Sequence, residues 1–216
     1  MAAQDPVVIL DGARTPMGSF QGELKDVTAP MLGAVAIKAA LAKSGVKPAE
    51  VQEVVMGCVL PAGMGQAPAR QAAHGAGIPW DIGCTTVNKM CGSGMKAAMF
   101  VHDSIAAGIN DVAVAGGLES MTNAPYLMDK ARGGLRLGHG RVWDHMFIDG
   151  LEDAYQKGRL MGTFAEDTAQ HYQFTRKQQD DFAVASLTRA KKANEDGSFA
   201  REIVAVAVKD RGGERQ

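Results

Sequence analysis

Cysteine is the residue of this chain best suited to covalent chemistry, and of Cys58, Cys84 and Cys91 the last is placed for it. It lies in Val87-Asn88-Lys89-Met90-Cys91-Gly92-Ser93-Gly94-Met95-Lys96-Ala97-Ala98, where a β-branched run enters and an apolar, helix-forming run leaves. That order puts the sulfur at or beside a helix amino terminus. The unpaired N–H groups and the positive end of the helix dipole stabilise a thiolate there. Gly92 and Gly94 leave open space, so a bulky acyl thioester can approach the sulfur, and the same N–H groups can bind a developing oxyanion. A thiolate is also a good leaving group, which suits thioester exchange. An arbitrary free cysteine is more often a buried packing residue, and glycines near a helix start often serve packing alone. The whole segment, not the thiol by itself, carries the reading.

The elements that must position Cys91 are legible around it. Val7-Val8-Ile9-Leu10 is a continuous apolar run of the kind found in strands buried on both faces. Thr28 is a candidate N-cap, Pro30 suits a first turn, and Gly45 marks a helix end. Residues 51–60 predict a second strand, 66–75 a short helix carrying Arg70 and His74, and Thr85-Thr86-Val87 a third strand. A helix over 92–107 follows, stopped by Gly108, and then a strand over 111–115 leading to Gly116-Gly117. Ala97-Ala98-Met99-Phe100-Val101 is apolar around the helix and predicts that it is buried. Strands alternating with helices imply a parallel sheet in a layered α/β domain, whose sites gather at the carboxyl ends of the strands. Cys91 falls just past one such end.

Beyond Ser120 the composition changes. Residues 121–160 are rich in Met, Gly and Arg and read as a long irregular excursion, a type of segment that is often functional. Thr163 to Glu166 and Thr175 to Gln178 both fit the capping box, predicting two helix starts. The second helix runs to about Asn194, and residues 201–208 read as a strand. The polar, glycine-bearing end from Lys209 to Gln216 reads as a surface loop. The expected domains are 1–120, an α/β domain with the nucleophile, and 121–216, a loop domain.

Composition excludes several classes. The 216 residues suit one large domain or one domain with a smaller addition, and a net charge of −1 argues against a general nucleic-acid binder. Met1 to Pro6 lacks a positive segment followed by an apolar run, and no stretch is apolar for long enough to span a bilayer. A cytoplasmic protein, with neither membrane nor nucleic acid as partner, is the expectation. The cysteines form no C-x-x-C pair, no H-E-x-x-H, P-loop or EF-hand pattern occurs, and no metal is expected. Gly63-Met64-Gly65 reads as a turn. Lys130, Arg132, Arg136 and Arg141 form a basic cluster that suits coenzyme A phosphates or a solvated or intersubunit surface equally well. Met121, Met128, Met146 and Met161 suit either an acyl pocket or core filling.

Val87-Asn88-x-x-Cys91-Gly92-Ser93-Gly94-Met95 resembles the active-cysteine signature of the thiolase family. Asp11-Gly12-Ala13-Arg14-Thr15-Pro16-Met17-Gly18 resembles the family's opening strand and turn. Residues 115–125, from Ala-Gly-Gly-Leu-Glu-Ser-Met onward, resemble the entry to its loop domain. Asp149-Gly150-Leu151, Met161-Gly162-Thr163-Phe164-Ala165-Glu166 and Gln178-Gln179-Asp180-x-Phe182-Ala183 resemble pieces of that domain and its later helix. These blocks occur in the family's order along essentially the whole chain.

The resemblance implies the amino-terminal half of a thiolase-like layered fold, a mixed sheet with helices on both faces, plus an irregular α-rich loop domain. It implies an acyl-CoA acyltransferase that cleaves 3-ketoacyl-CoA, or condenses two acetyl-CoA, through an acyl-Cys91 intermediate. Coenzyme A and acetyl-CoA enter as substrates, and no cofactor is bound permanently. Leu151 and Met161 fall where family members line the pantetheine and acyl pocket. Leu160 stands where several members carry a histidine. The family's Gly-His-Pro histidine, its Asn-Glu-Ala-Phe asparagine and its second cysteine have no counterpart here, which implies a complementing carboxy-terminal half. Gly138-His139-Gly140 lacks the proline, and His74, His102, His145 and His171 lack a partner motif, so each is read as structural or surface. A homo-oligomer, dimer or tetramer, is the implied assembly. A ketoacyl-synthase-like condensing enzyme and a non-catalytic assembly subunit are the competing readings.

Overall fold

The structure, a computed structural model, describes residues 7–210 and 213–215, without the side chains of 209, 210 and 213–215. Met1 to Pro6, the segment without a leader pattern, lie outside the described residues, as do Arg211, Gly212 and Gln216 of the expected terminal loop. The chain divides into two compact units, one within Met1–Pro125 and Ile203–Gln216, the other Tyr126–Glu202.

In the first unit, α1 (Ala29–Ser44) begins with a proline in its first turn and ends at Gly45, whose φ of 76° is the left-handed conformation that a glycine takes without penalty. Strand β1 (Glu53–Gly57) is the centre of a three-stranded sheet, flanked in parallel by β2 (Gly83–Val87) and β3 (Ala113–Gly117). Helix α2 (Pro68–Gly75) precedes β2, and α3 (Ser93–Ala106) joins β2 to β3. Strand alternation decides the layers. Val54 and Met56 face a core shared with Ile37 and Leu41 of α1 and Ala69, Ala72 and Ala73 of α2. Val55, between them, faces Ala97 and Val101 of α3. The sheet therefore carries α1 and α2 on one side and α3 on the other. The Thr86 hydroxyl of β2 accepts the Ala69 N–H at 3.1 Å, which ties the first turn of α2 to the sheet.

Four expectations need correction here. Residues 7–10 form no strand, and Ile9 is 94% exposed. An apolar run reports a demand for burial but not a partner, and the nearest pairing among the described residues is the single bridge Arg14↔Ile203. Strand β1 stops at Gly57, short of Leu60, because the Val59 and Leu60 N–H groups bond to the Glu119 carboxylate. Helix α3 buries Ser93, Ala97 and Val101 but exposes Met95, Met99 and Phe100, so only one of its faces is covered. Residues 201–207 hold the Arg14↔Ile203 bridge and a Val204 N–H to Arg14 bond in place of a strand. Val208–Asp210 (β6) pairs antiparallel with Gly213–Arg215 (β7) at the expected terminal loop.

The second unit opens with β4 (Tyr126–Met128) paired antiparallel to β5 (Val142–Asp144), so the excursion after Ser120 holds an ordered ribbon. A π-helical turn over Phe147–Leu151 follows. Helix α4 (Met161–His171) starts before the expected Thr163 cap. The bridge Glu152↔Leu160 delivers the chain into the helix at Leu160, and the Thr163 hydroxyl donates to the Leu160 carbonyl at 2.7 Å. Helix α5 (Arg176–Glu195) has the expected box, with the Thr175 hydroxyl accepting the Gln178 N–H and Gln178 Oε1 accepting the Thr175 N–H.

Candidate active site

The site is built on the turn between β2 and α3. Ser93, the first residue of α3, is only 5% exposed. Its hydroxyl accepts the Lys89 N–H at 2.9 Å and donates to the Met90 carbonyl at 2.5 Å. Asn88 Oδ1 accepts the Met90 N–H at 2.9 Å, and its amide donates to the Val59 carbonyl at 3.4 Å. Met90 is held at φ 49°, a left-handed conformation that a side chain with a Cβ adopts only at a cost. Four side-chain hydrogen bonds thus fix the residues on both sides of Cys91, while Cys91 itself is exposed. No side chain caps the start of α3; the Gly92 and Ser93 N–H groups bond to the Lys89 and Met90 carbonyls at 3.1 and 3.0 Å.

The turn is pressed onto the sheet. A Cβ on Gly57, at the end of β1, would lie 2.5 Å from the Ser93 carbonyl carbon and 2.6 Å from the Gly94 nitrogen. Only glycine lets the helix start come this close to the strand. The other two thiols are less suited to attack. Cys58 is 1% exposed, and burial, with the Glu119 charge beside it, pushes its thiol up to about 12. Burial also raises Cys84, with Arg70 acting in the opposite direction.

Leu151 and Met161 belong to the second unit, whereas Cys91 belongs to the first. The antiparallel bridge Glu152↔Leu160 sets Leu151 and Met161 beside one another, Leu151 closing the π-helical turn and Met161 opening α4. Met121, Met128 and Met161 are exposed, which removes the core-filling reading for those three. His145 is 4% exposed and pairs with Asp149 Oδ2 at 2.7 Å. His74 stacks on Trp80, His102 meets Asp103, and His171 lies edge-on to Tyr172. Lys130, Arg132, Arg136 and Arg141 are all exposed, with Arg141 5.9 Å over the Trp143 ring.

The sequence pointed to the turn that carries Cys91 but not to what braces it. Glu119 stands just past β3 and gathers three donors: the Val59 N–H at 2.8 Å, the Leu60 N–H at 3.0 Å and the Cys58 thiol at 3.5 Å. A carboxylate two residues past a Gly-Gly strand exit was the available signal.

The chain matches the model of the thiolase N-terminal domain over residues 7–216. It belongs to the thiolase family. It is 55% identical over 202 residues to acetyl-CoA acetyltransferase 2 of Arabidopsis thaliana, covering 94% of this chain and 50% of that protein. It is 49% identical over 208 residues to an acetyl-CoA acetyltransferase of Cupriavidus necator, covering 96% and 53%. The mitochondrial acetyl-CoA acetyltransferase of Rattus norvegicus is 47% identical over 206 residues, covering 95% and 48%. The chain thus spans about half the length of the curated relatives it matches. The family resemblance and the layered α/β thiolase fold are borne out. Among the described residues of this thiolase-family chain, no helix is long and apolar enough to cross a membrane.

Proposed function

We propose that the protein carrying this chain is a thiolase-type acyl-CoA acyltransferase and that Cys91 is its nucleophile. The observation that carries the reading is the exposed Cys91 on a turn braced by Ser93 and Asn88 at the uncapped start of α3. In the degradative direction the Cys91 thiolate adds to the 3-keto carbon of a 3-ketoacyl-CoA. The carbon–carbon bond then breaks, its electron pair leaving on the methylene carbon, which takes a proton to give acetyl-CoA. The thiolate of free coenzyme A then attacks the acyl-Cys91 thioester and regenerates the cysteine. The reverse sequence condenses two acetyl-CoA. Coenzyme A and its thioesters are substrates, and the reading needs no resident cofactor. Leu151 and Met161 line the pantetheine and acyl chain in this reading.

The base that activates Cys91 and the group that handles the substrate proton come, in this proposal, from a carboxy-terminal half. Two observations favour it: relatives about twice as long, and the exposed Met95, Met99 and Phe100 face of α3. A homo-oligomer, dimer or tetramer, completes the proposal, together with a role in fatty acid metabolism and a cytoplasmic setting that keeps thiols reduced.

The test is thiolysis of acetoacetyl-CoA by the complete protein, followed as loss of the 3-ketoacyl thioester. Cys91→Ala is expected to lower kcat by roughly 10³-fold or more. Turnover by Cys91→Ala at the wild-type rate would remove the nucleophile from the reading.

A further inference from the structure

We propose that Glu119 is a positioning residue for the Cys91 turn, acting through Val59 and Asn88; the inference rests on the reading of Cys91 as nucleophile. The path is continuous in hydrogen bonds. Glu119 Oε2 and Oε1 hold the Val59 and Leu60 N–H groups at 2.8 and 3.0 Å. The Val59 carbonyl receives the Asn88 amide at 3.4 Å, and Asn88 Oδ1 holds the Met90 N–H at 2.9 Å. Met90 is the residue at φ 49°, immediately before Cys91. The Cys58 N–H still bonds to the Val87 carbonyl of β2 at 2.9 Å; beyond it the chain leaves the β ladder, and the Glu119 carboxylate fixes the Val59 and Leu60 N–H groups. Asn88 is exposed, and its side chain is held by the amide bond to Val59 and the Oδ1 bond to Met90. The far end of the path is therefore held from two sides, by the Ser93 hydroxyl and by the segment that Glu119 grips. A neutral amide in place of the carboxylate would turn an N–H donor against one of the two N–H groups now bound.

The experiment uses the complete protein and begins with the wild type, where acetyl transfer from acetyl-CoA to Cys91 is located by peptide mass mapping. Glu119→Gln is expected to lower kcat for acyl transfer roughly tenfold or more with KM within about twofold, the pattern of a misplaced nucleophile. Asn88→Asp keeps the acceptor for Met90 but loses the donor to Val59. Its side chain is on the surface, so it severs the path without disturbing the core, and a similar loss with unchanged melting temperature is expected. In the Asn88→Asp background, Glu119→Gln is expected to cost less than about a further twofold, because the two residues act in series. Multiplicative losses in the double variant, or full kcat in Asn88→Asp, would overturn the relay while leaving acyl-Cys91 intact. If Glu119→Gln does not fold, the Asn88→Asp result decides alone. Turnover by the wild type with no acyl group on Cys91 would instead remove the nucleophile, and the positioning role with it.

Discussion

Gly57→Ala is the smallest change that tests how tightly the Cys91 turn is seated. The added methyl would lie 2.5 Å from the Ser93 carbonyl carbon, 2.6 Å from the Gly94 nitrogen and 2.7 Å from the Ser93 Cβ. Comfortable contact is about 3.5 Å, so the start of α3 must retreat from β1 by roughly 1 Å. Two of the three atoms are backbone, so no rotamer change relieves the clash. Overpacking of this kind costs about 1–3 kcal/mol, and the rigid partners place this case near the upper end. For a complete protein of about twice this length, the melting temperature falls by roughly 2–4 °C. Cys91 is two residues from Ser93, and a displacement of ~1 Å at a reacting group lowers kcat by about 10²-fold. Calorimetry and steady-state thiolysis on the complete protein measure both effects. Gly94→Ala is the stability control. Its Cβ meets nothing closer than 3.7 Å, so stability is kept or raised by up to about 1 kcal/mol through helix propensity. Wild-type stability and kcat in Gly57→Ala would refute the reasoning.

Other outcomes follow from the same structure. A thiol at about 12 is thiolate in roughly one part in 10⁴ at pH 8, against about one in ten for a thiol at the ordinary 9.0, so iodoacetamide should label Cys58 about 10³ times more slowly than a free reference thiol of ordinary acidity. Because folding raises the Cys58 value, its contribution to stability is whole below pH 9 and is lost as pH rises towards about 12. Denaturant titrations should show a decline of up to ~4 kcal/mol across that window that Cys58→Ala lacks. Thr175→Ala removes the hydroxyl of the α5 capping box and should cost about 1 kcal/mol by denaturant unfolding, without changing kcat. Met161→Ala should raise KM for longer acyl chains more than for acetoacetyl-CoA if Met161 lines the acyl pocket.

Local chemistry made much of the fold legible. Pro30 and Gly45 bounded α1, Gly108 ended α3, and the box at Thr175 and Gln178 started α5, because each rests on bonds between near neighbours in sequence. What failed depended on distant partners. Val7 to Leu10 has the composition of a buried strand, but pairing comes from elsewhere in the chain, and here it is a single bridge at Arg14. The end of β1 was set by Glu119, about sixty residues away, whose contacts no window around Val59 reveals. Thr163 satisfied the capping pattern yet lies inside the first turn, because the Glu152↔Leu160 bridge fixes the chain's entry. The short β4 and β5 were hidden among Gly and Arg residues, as three-residue strands carry almost no periodicity. At the candidate site, the strand-to-helix turn that carries Cys91 was legible from its flanking glycines. Its braces at Asn88, Ser93 and Glu119 came only with the geometry.

The central claim is that Cys91 carries the acyl group. Incubating the complete protein with acetyl-CoA, quenching in acid and mapping peptides by mass addresses it directly. One acetyl group on the peptide containing Cys91, released on adding coenzyme A and absent from Cys91→Ala, is the expected result. An acetyl group on another residue, or one that persists in Cys91→Ala, would contradict the account.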